Sequence, residues 1–161
     1  MNIFEFAMQM EKDGEAYYRE LAQKSPEKGL ATILTMLAED EVKHYQVLKE
    51  MSRKSNPKLI ETNVLNDAKN VFRQIREQGK KFTFPGRHID LYRKAQELEQ
   101  KSEDFYREKA ADVENPAHRD ILTRIAEEEQ RHYFLLDNII EFISRPDTWL
   151  ENAEFNHLDE Y

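Results

Sequence analysis

The sequence predicts an all-α fold, a four-helix bundle made of two repeated helical hairpins joined by a long crossover connection. Three observations carry that prediction. Four long segments place apolar residues at alternating steps of three and four, the mark of an amphipathic helix with one buried face. Gly and Pro are scarce (4 and 5 of 161 residues) and charged residues make up 35% of the chain, a composition that favours helix. The chain also repeats itself at an offset of 88 residues: Glu11 falls on Glu99, Tyr18 on Tyr106, Arg19 on Arg107, Glu20 on Glu108, Glu41 on Glu129 and His44 on His132.

The first helix is expected from about Ile3 to Lys24, before Ser25-Pro26, with the inward stripe Phe4, Ala7, Glu11, Gly14, Tyr18 and Leu21. The second should start near Glu27 and continue to about Arg53, stopping before Ser55-Asn56-Pro57. Its stripe runs Leu30, Leu34, Leu37, then Glu41 and His44, then Leu48 and Met51. From 54 to 88 the periodicity weakens. Val64 to Gln78 reads as a helix through Val64, Ala68, Val71, Phe72 and Ile75, with Gly79 as its stop, followed by an extended loop over Lys80 to Gly86. A connection this long is unusual between packed helices. It is needed when consecutive bundle helices run parallel and the chain must cross the whole length of the bundle.

The third bundle helix, about Ile89 to Ala111, has the stripe Tyr92, Ala95, Glu99, Ser102 and Tyr106. After a turn over Asp112 to Pro116, the fourth runs from about Ala117 to Ser144 through Leu122, Ile125, then Glu129 and His132, then Leu136, Ile139 and Ile143. Arg145-Pro146-Asp147 ends it. The bundle domain is thus 1–145. The tail, 146–161, is expected to carry a short helix around Trp149 capped by Asp147 and to pack along the bundle or a neighbouring subunit.

Composition excludes several classes. The formal charge of −8, with no sustained basic face, argues against nucleic acid as a partner. The absence of cysteine rules out disulfides, thiolate metal sites and iron–sulfur clusters within this chain. The N-terminus lacks a signal-peptide pattern and no apolar run is long enough to span a membrane, so a cytoplasmic protein is expected.

The chemistry lies where the stripes are interrupted. Glu11, Glu41, Glu99 and Glu129, with His44 and His132, stand at positions that should be apolar. A buried carboxylate is costly unless it is protonated or partnered. Four carboxylates and two divalent metals sum to zero, so a two-metal site explains all four at once. Single Glu-x-x-His sequences are common on solvated helices. Two in register, each breaking a core stripe and each matched by a glutamate on the preceding helix, are not. One Glu from each of two helices plus Glu-x-x-His from each of the other two is a known ligand pattern of carboxylate-bridged di-metal bundles. Its mixed oxygen and imidazole donors suit iron or manganese. Asp40 and Glu128, just before the two ligand glutamates, are placed to accept from the histidine of the opposite helix, in the pairs Asp40–His132 and Glu128–His44. Tyr18 and Tyr106 lean back toward the metal layer, where they would orient a ligand carboxylate, although tyrosine at helical spacing also serves as core packing. Gly14 and Ser102 would leave room for O2 or peroxide. His88, His118 and His157 have no such partners in the sequence and are expected at the surface.

With these residues in place, the sequence resembles the ferritin-like di-iron proteins, closest to the rubrerythrin-like branch. The matching pieces are Met10 through Tyr18, both Glu-x-x-His motifs, and Leu98 through Ser102 with Phe105-Tyr106. The resemblance spans the four bundle helices, about two thirds of the chain. It implies a ferritin-like bundle with a non-haem centre of two Fe ions, with Mn possible, that reacts with hydrogen peroxide or O2. It also implies a homodimer. Two departures stand out. Rubrerythrins add a cysteine-ligated electron-relay domain, so here the electrons would come from a separate donor protein. They also carry an extra glutamate where this chain has Ser102, with Glu103 beside it.

The function expected is therefore an oxidoreductase reducing hydrogen peroxide or O2 with an external donor, Glu41 and Glu129 bridging the metals and Glu11 and Glu99 terminal. The alternatives are an iron-binding or ferroxidase-type protein without peroxidase turnover, and a bundle in which metal only stabilises the fold. A manganese centre would point to disproportionation of peroxide.

Overall fold

The computed structural model describes residues 2–53, 57, 59, 62–78, 84 and 88–145. Five helices are present among them: α1 (Ile3–Lys24), α2 (Lys28–Ser52), α3 (Val64–Gln78), α4 (His88–Asp112) and α5 (Pro116–Ser144). The fold is a ferritin-like helical bundle, with α1 paired to α2 and α4 paired to α5. Gly79, most of the Lys80 to Gly86 loop, Asp147, Trp149, His157 and the tail as a whole lie outside the described residues.

Local chemistry sets the helix ends. The Asn2 side chain accepts from the Glu5 amide and opens α1. Glu27, expected inside the second helix, is instead its N-cap, accepting from the Leu30 amide at 2.7 Å. Asn115 caps α5 through the Ala117 and His118 amides, and Pro116 takes the first helical position, where a missing N–H costs nothing.

The core divides into two apolar clusters. One gathers Tyr18 and Leu21 from the end of α1, Leu30 to Ala38 from the start of α2, Tyr92 and Ala95 from the start of α4, and Leu135 to Ile143 from the end of α5. The other gathers Ala7, Val47 to Met51, Tyr106, Ala110 and Ile121 to Ala126, from the opposite helix ends. It follows that α1 runs parallel to α5 and α2 parallel to α4, the arrangement that requires a crossover. Within that crossover α3 lays Val64, Ala68, Val71, Phe72 and Ile75 into the first cluster, where Phe72 meets Phe142 edge-on at 5.6 Å. The crossover is thus part of the core.

Two histidines depart from expectation. His88 is 5% exposed, stacked on Phe84 and tilted against Tyr92, while His118 is 9% exposed with Phe4 edge-on to its ring. Both start helices beside aromatic side chains that cover them, which sequence spacing alone does not reveal. No helix among the described residues is long and apolar enough to cross a membrane.

Candidate metal centre

The four bundle helices change from apolar to ionisable at one common level, between the two clusters. There Glu11, Glu41, Glu99 and Glu129 are each under 5% exposed, and His44 and His132 are fully buried. Two overlapping groups form: Glu11, Glu41, His44 and Glu129 offer donor atoms within 4.8 Å of one another, and so do Glu41, Glu99, Glu129 and His132. Glu41 and Glu129 belong to both groups. The two imidazoles lie 6.1 Å apart, centre to centre, with planes 20° from parallel.

The outer contacts cross between the hairpins. His44 Nε2 lies 2.9 Å from Glu128 Oε1, and His132 Nε2 lies 2.9 Å from Asp40 Oδ2. Opposite a carboxylate oxygen Nε2 carries the proton, which turns Nδ1 toward the glutamates. The Tyr106 hydroxyl donates to Glu11 Oε1 at 2.6 Å, and the Tyr18 hydroxyl donates to Glu99 Oε1. Glu11 and Glu99 are therefore each held by the other hairpin's tyrosine.

The remaining atoms test whether a metal pair fits. Glu11 Oε2, Glu41 Oε1, Glu99 Oε2 and Glu129 Oε1 are buried without a hydrogen-bond partner among the described residues. His44 Nδ1 sits 2.9 Å from Glu129 Oε1 and 3.5 Å from Glu11 Oε2 without the alignment of a hydrogen bond. Buried polar atoms are rarely left so. One free oxygen per glutamate, converging with imidazole nitrogen, is a donor set that divalent iron or manganese would satisfy.

Without metal the charges rearrange. Glu41 and Glu129 are pushed well above the usual carboxylate range, first by burial and then by neighbouring carboxylates. Burial also raises Glu11 and Glu99. In Glu11 the neighbouring Glu41 carboxyl and the His44 charge outweigh it, and in Glu99 the His132 charge and Glu129 do so, leaving both lowered. Burial lowers His44 and His132, but Glu11 and Glu99 respectively raise them well above the ordinary imidazole value.

One contributor escaped the sequence reading. Thr62, in the weakly periodic crossover, donates its hydroxyl to Asp40 Oδ2 while accepting from the Val64 amide at the start of α3. No spacing signal marks it. Glu103 is buried but turns to Arg107, whose Nε lies 2.7 Å away, and enters neither group. Ser102 lines a cleft between α1 and α4 whose walls follow the repeat: Met10 faces the role of Leu98, Asp13 of Lys101, Gly14 of Ser102 and Tyr17 of Phe105. A Cβ on Gly14 would come within 3.2 Å of Glu41 Oε2.

No curated protein and no solved structure matches the chain significantly. A family model described as Rubrerythrin matches residues 2–140. That span contains every residue of the buried acid layer, and the chain belongs to the rubrerythrin family.

Proposed function

We propose that the chain is a non-haem di-iron oxidoreductase that reduces hydrogen peroxide, or O2, with electrons from a separate donor protein. The observation that carries this reading is the pair of buried three-glutamate, one-histidine groups sharing Glu41 and Glu129. In it Glu11 and His44 would hold one ion and Glu99 and His132 the other, with Glu41 and Glu129 available to both. When bound, a ferrous pair supplies the two electrons that an O–O bond takes up on reduction to water.

The protein's own part is positioning. Asp40 and Glu128 fix the imidazole tautomers, presenting Nδ1 inward. Tyr18 and Tyr106 each occupy one oxygen of a terminal glutamate and leave the other for metal. The apolar clusters close the layer above and below along the bundle. Gly14 keeps Glu41 clear of backbone-borne atoms at the face that the cleft reaches.

Ser102, in place of the extra glutamate, is the specific ground for a second reading, iron oxidation without peroxidase turnover. Anaerobic Fe(II) titration of metal-free protein, followed by stopped-flow mixing with hydrogen peroxide and separately with O2, separates the two. The first reading expects two irons per chain and faster oxidation by peroxide, with re-reduction by a donor. Faster oxidation by O2 would favour the second. Absence of stoichiometric binding would overturn both.

A further inference from the structure

The acid layer is approached from the face between α1 and α4. A cavity of about 390 Å³ runs between α1 and α4 from Phe6 and Leu98 down to Glu41, Glu99 and Glu129. Among the described residues, Phe6 (48% exposed) and Leu98 (38% exposed) are the large apolar side chains left open to solvent. Cavities of about 300–1,000 Å³ are the size that accepts organic ligands, whereas a water molecule occupies only roughly 30 Å³. Hydrogen peroxide is little larger than water, and O2 needs a path one molecule wide. Neither fills a chamber of this volume, and hydrogen peroxide, a polar molecule, gains nothing from its apolar walls.

The polar groups narrow the choice. The Tyr18 hydroxyl is already given to Glu99. The mouth carries one charge of each sign, Asp13 and Lys101, so it selects for neither anion nor cation. What fits is a neutral molecule, apolar along its length, whose only reactive group lies at the inner end beside the carboxylates.

We infer that this cleft binds an organic hydroperoxide, ROOH, with R packed against Leu98 and the paired rings of Phe6 and Phe105 and the O–O group directed at the acid layer. The inference rests on the peroxide-reducing reading above and names its substrate class. The O–O bond breaks; two electrons from the donor protein and two protons from solvent yield ROH and H2O. Small side chains at Gly14 and Ser102 make the passage between the mouth and Glu41.

The probes are cumene hydroperoxide and its product, cumyl alcohol, with the full chain. Cumyl alcohol titrated into metal-free protein should shift the Met10 and Leu98 methyl signals saturably, and Ser102→Leu should abolish the shift. In iron-loaded protein, Ser102→Leu should lower the ratio of oxidation rates, cumene hydroperoxide over hydrogen peroxide, by about tenfold or more, as occluding a hydrophobic pocket does. Leu98→Glu, at an exposed position where folding is not at stake, should lower the same ratio by placing a charge at the mouth. Iron binding and peroxide oxidation without any cumyl alcohol shift would overturn the substrate class and leave the peroxide-reducing reading standing. An unchanged ratio in both variants would do the same. Failure to bind iron would overturn both. A dimer whose formation displaces cumyl alcohol as protein concentration rises would assign the mouth to a second copy and overturn the proposal.

Discussion

The two hairpins, α1–α2 and α4–α5, carry the same residues at the acid layer but differ in what surrounds it. The shared residues all reach across: Tyr18 of the first hairpin holds Glu99 of the second, Tyr106 holds Glu11, and the histidine–carboxylate pairs exchange in the same way. Neither hairpin can complete its own coordination environment. The differences lie one step further out. Asp40 is tied by Thr62 to the start of α3, a support that the crossover supplies to the first half. At the cleft, Gly14 faces Ser102, and Asp13 stands where the repeat has Lys101. Symmetry is thus kept where the two donor groups meet, and relaxed at the cleft and where the chain crosses between halves.

The largest effects should come from the shared glutamates. Glu41→Ala or Glu129→Ala should drop Fe(II) stoichiometry below one per chain, because each serves both groups, whereas Glu11→Ala or Glu99→Ala should retain one ion. Anaerobic titration reads this directly, and unequal behaviour of Glu41 and Glu129 would break the equivalence of the halves. Metal loading at about 100 times Kd should add about 2.7 kcal/mol for each ion, so that two ions raise Tm by roughly 10–20 °C for a chain of this size. Calorimetry should show one transition with metal and one without; two would mean that the hairpins unfold separately.

Asp40→Asn and Glu128→Gln should each weaken metal binding by about 10–100-fold. The asymmetry enters with Thr62→Val, expected to cost about 1 kcal/mol of stability in denaturant melts and to cost less in an Asp40→Asn background, where its bond from the Val64 amide remains but its charged partner is gone. Tyr18→Phe and Tyr106→Phe strand a buried carboxylate oxygen and should destabilise the chain by about 1–2 kcal/mol each, equally in the two halves. Gly14→Ala against Ser102→Ala is the smallest test. The first forces Glu41 to yield by a few tenths of an ångström, at about 1 kcal/mol, and the second removes only a hydroxyl that lines the cleft. Equal losses by chemical denaturation would show that the two walls are not distinguished as described.

Legibility followed the range of the interactions. The interrupted stripes placed all six ionisable residues on inward faces, since a three- or four-residue step decides which side of a helix a residue occupies. Helix ends fell within one residue of expectation where caps such as Asn2 and Asn115 signal them. His88 and His118 were misjudged because their burial comes from Phe84, Tyr92 and Phe4, two of which lie on other segments. Thr62 was invisible because its partner Asp40 is 22 residues away on a helix face that it meets only after the crossover folds back.

The sequence by itself determined the four helices, the repeat, and the level at which their faces turn from apolar to ionisable, because periodicity and charge are local properties of the chain. Only the tertiary structure decided which carboxylate each tyrosine and histidine meets, that α3 joins the core and steadies Asp40 through Thr62, and that an apolar cleft opens onto the glutamates. Those outcomes depend on how separate helices approach one another, and a helix carries no record of the distance at which its neighbour will pack.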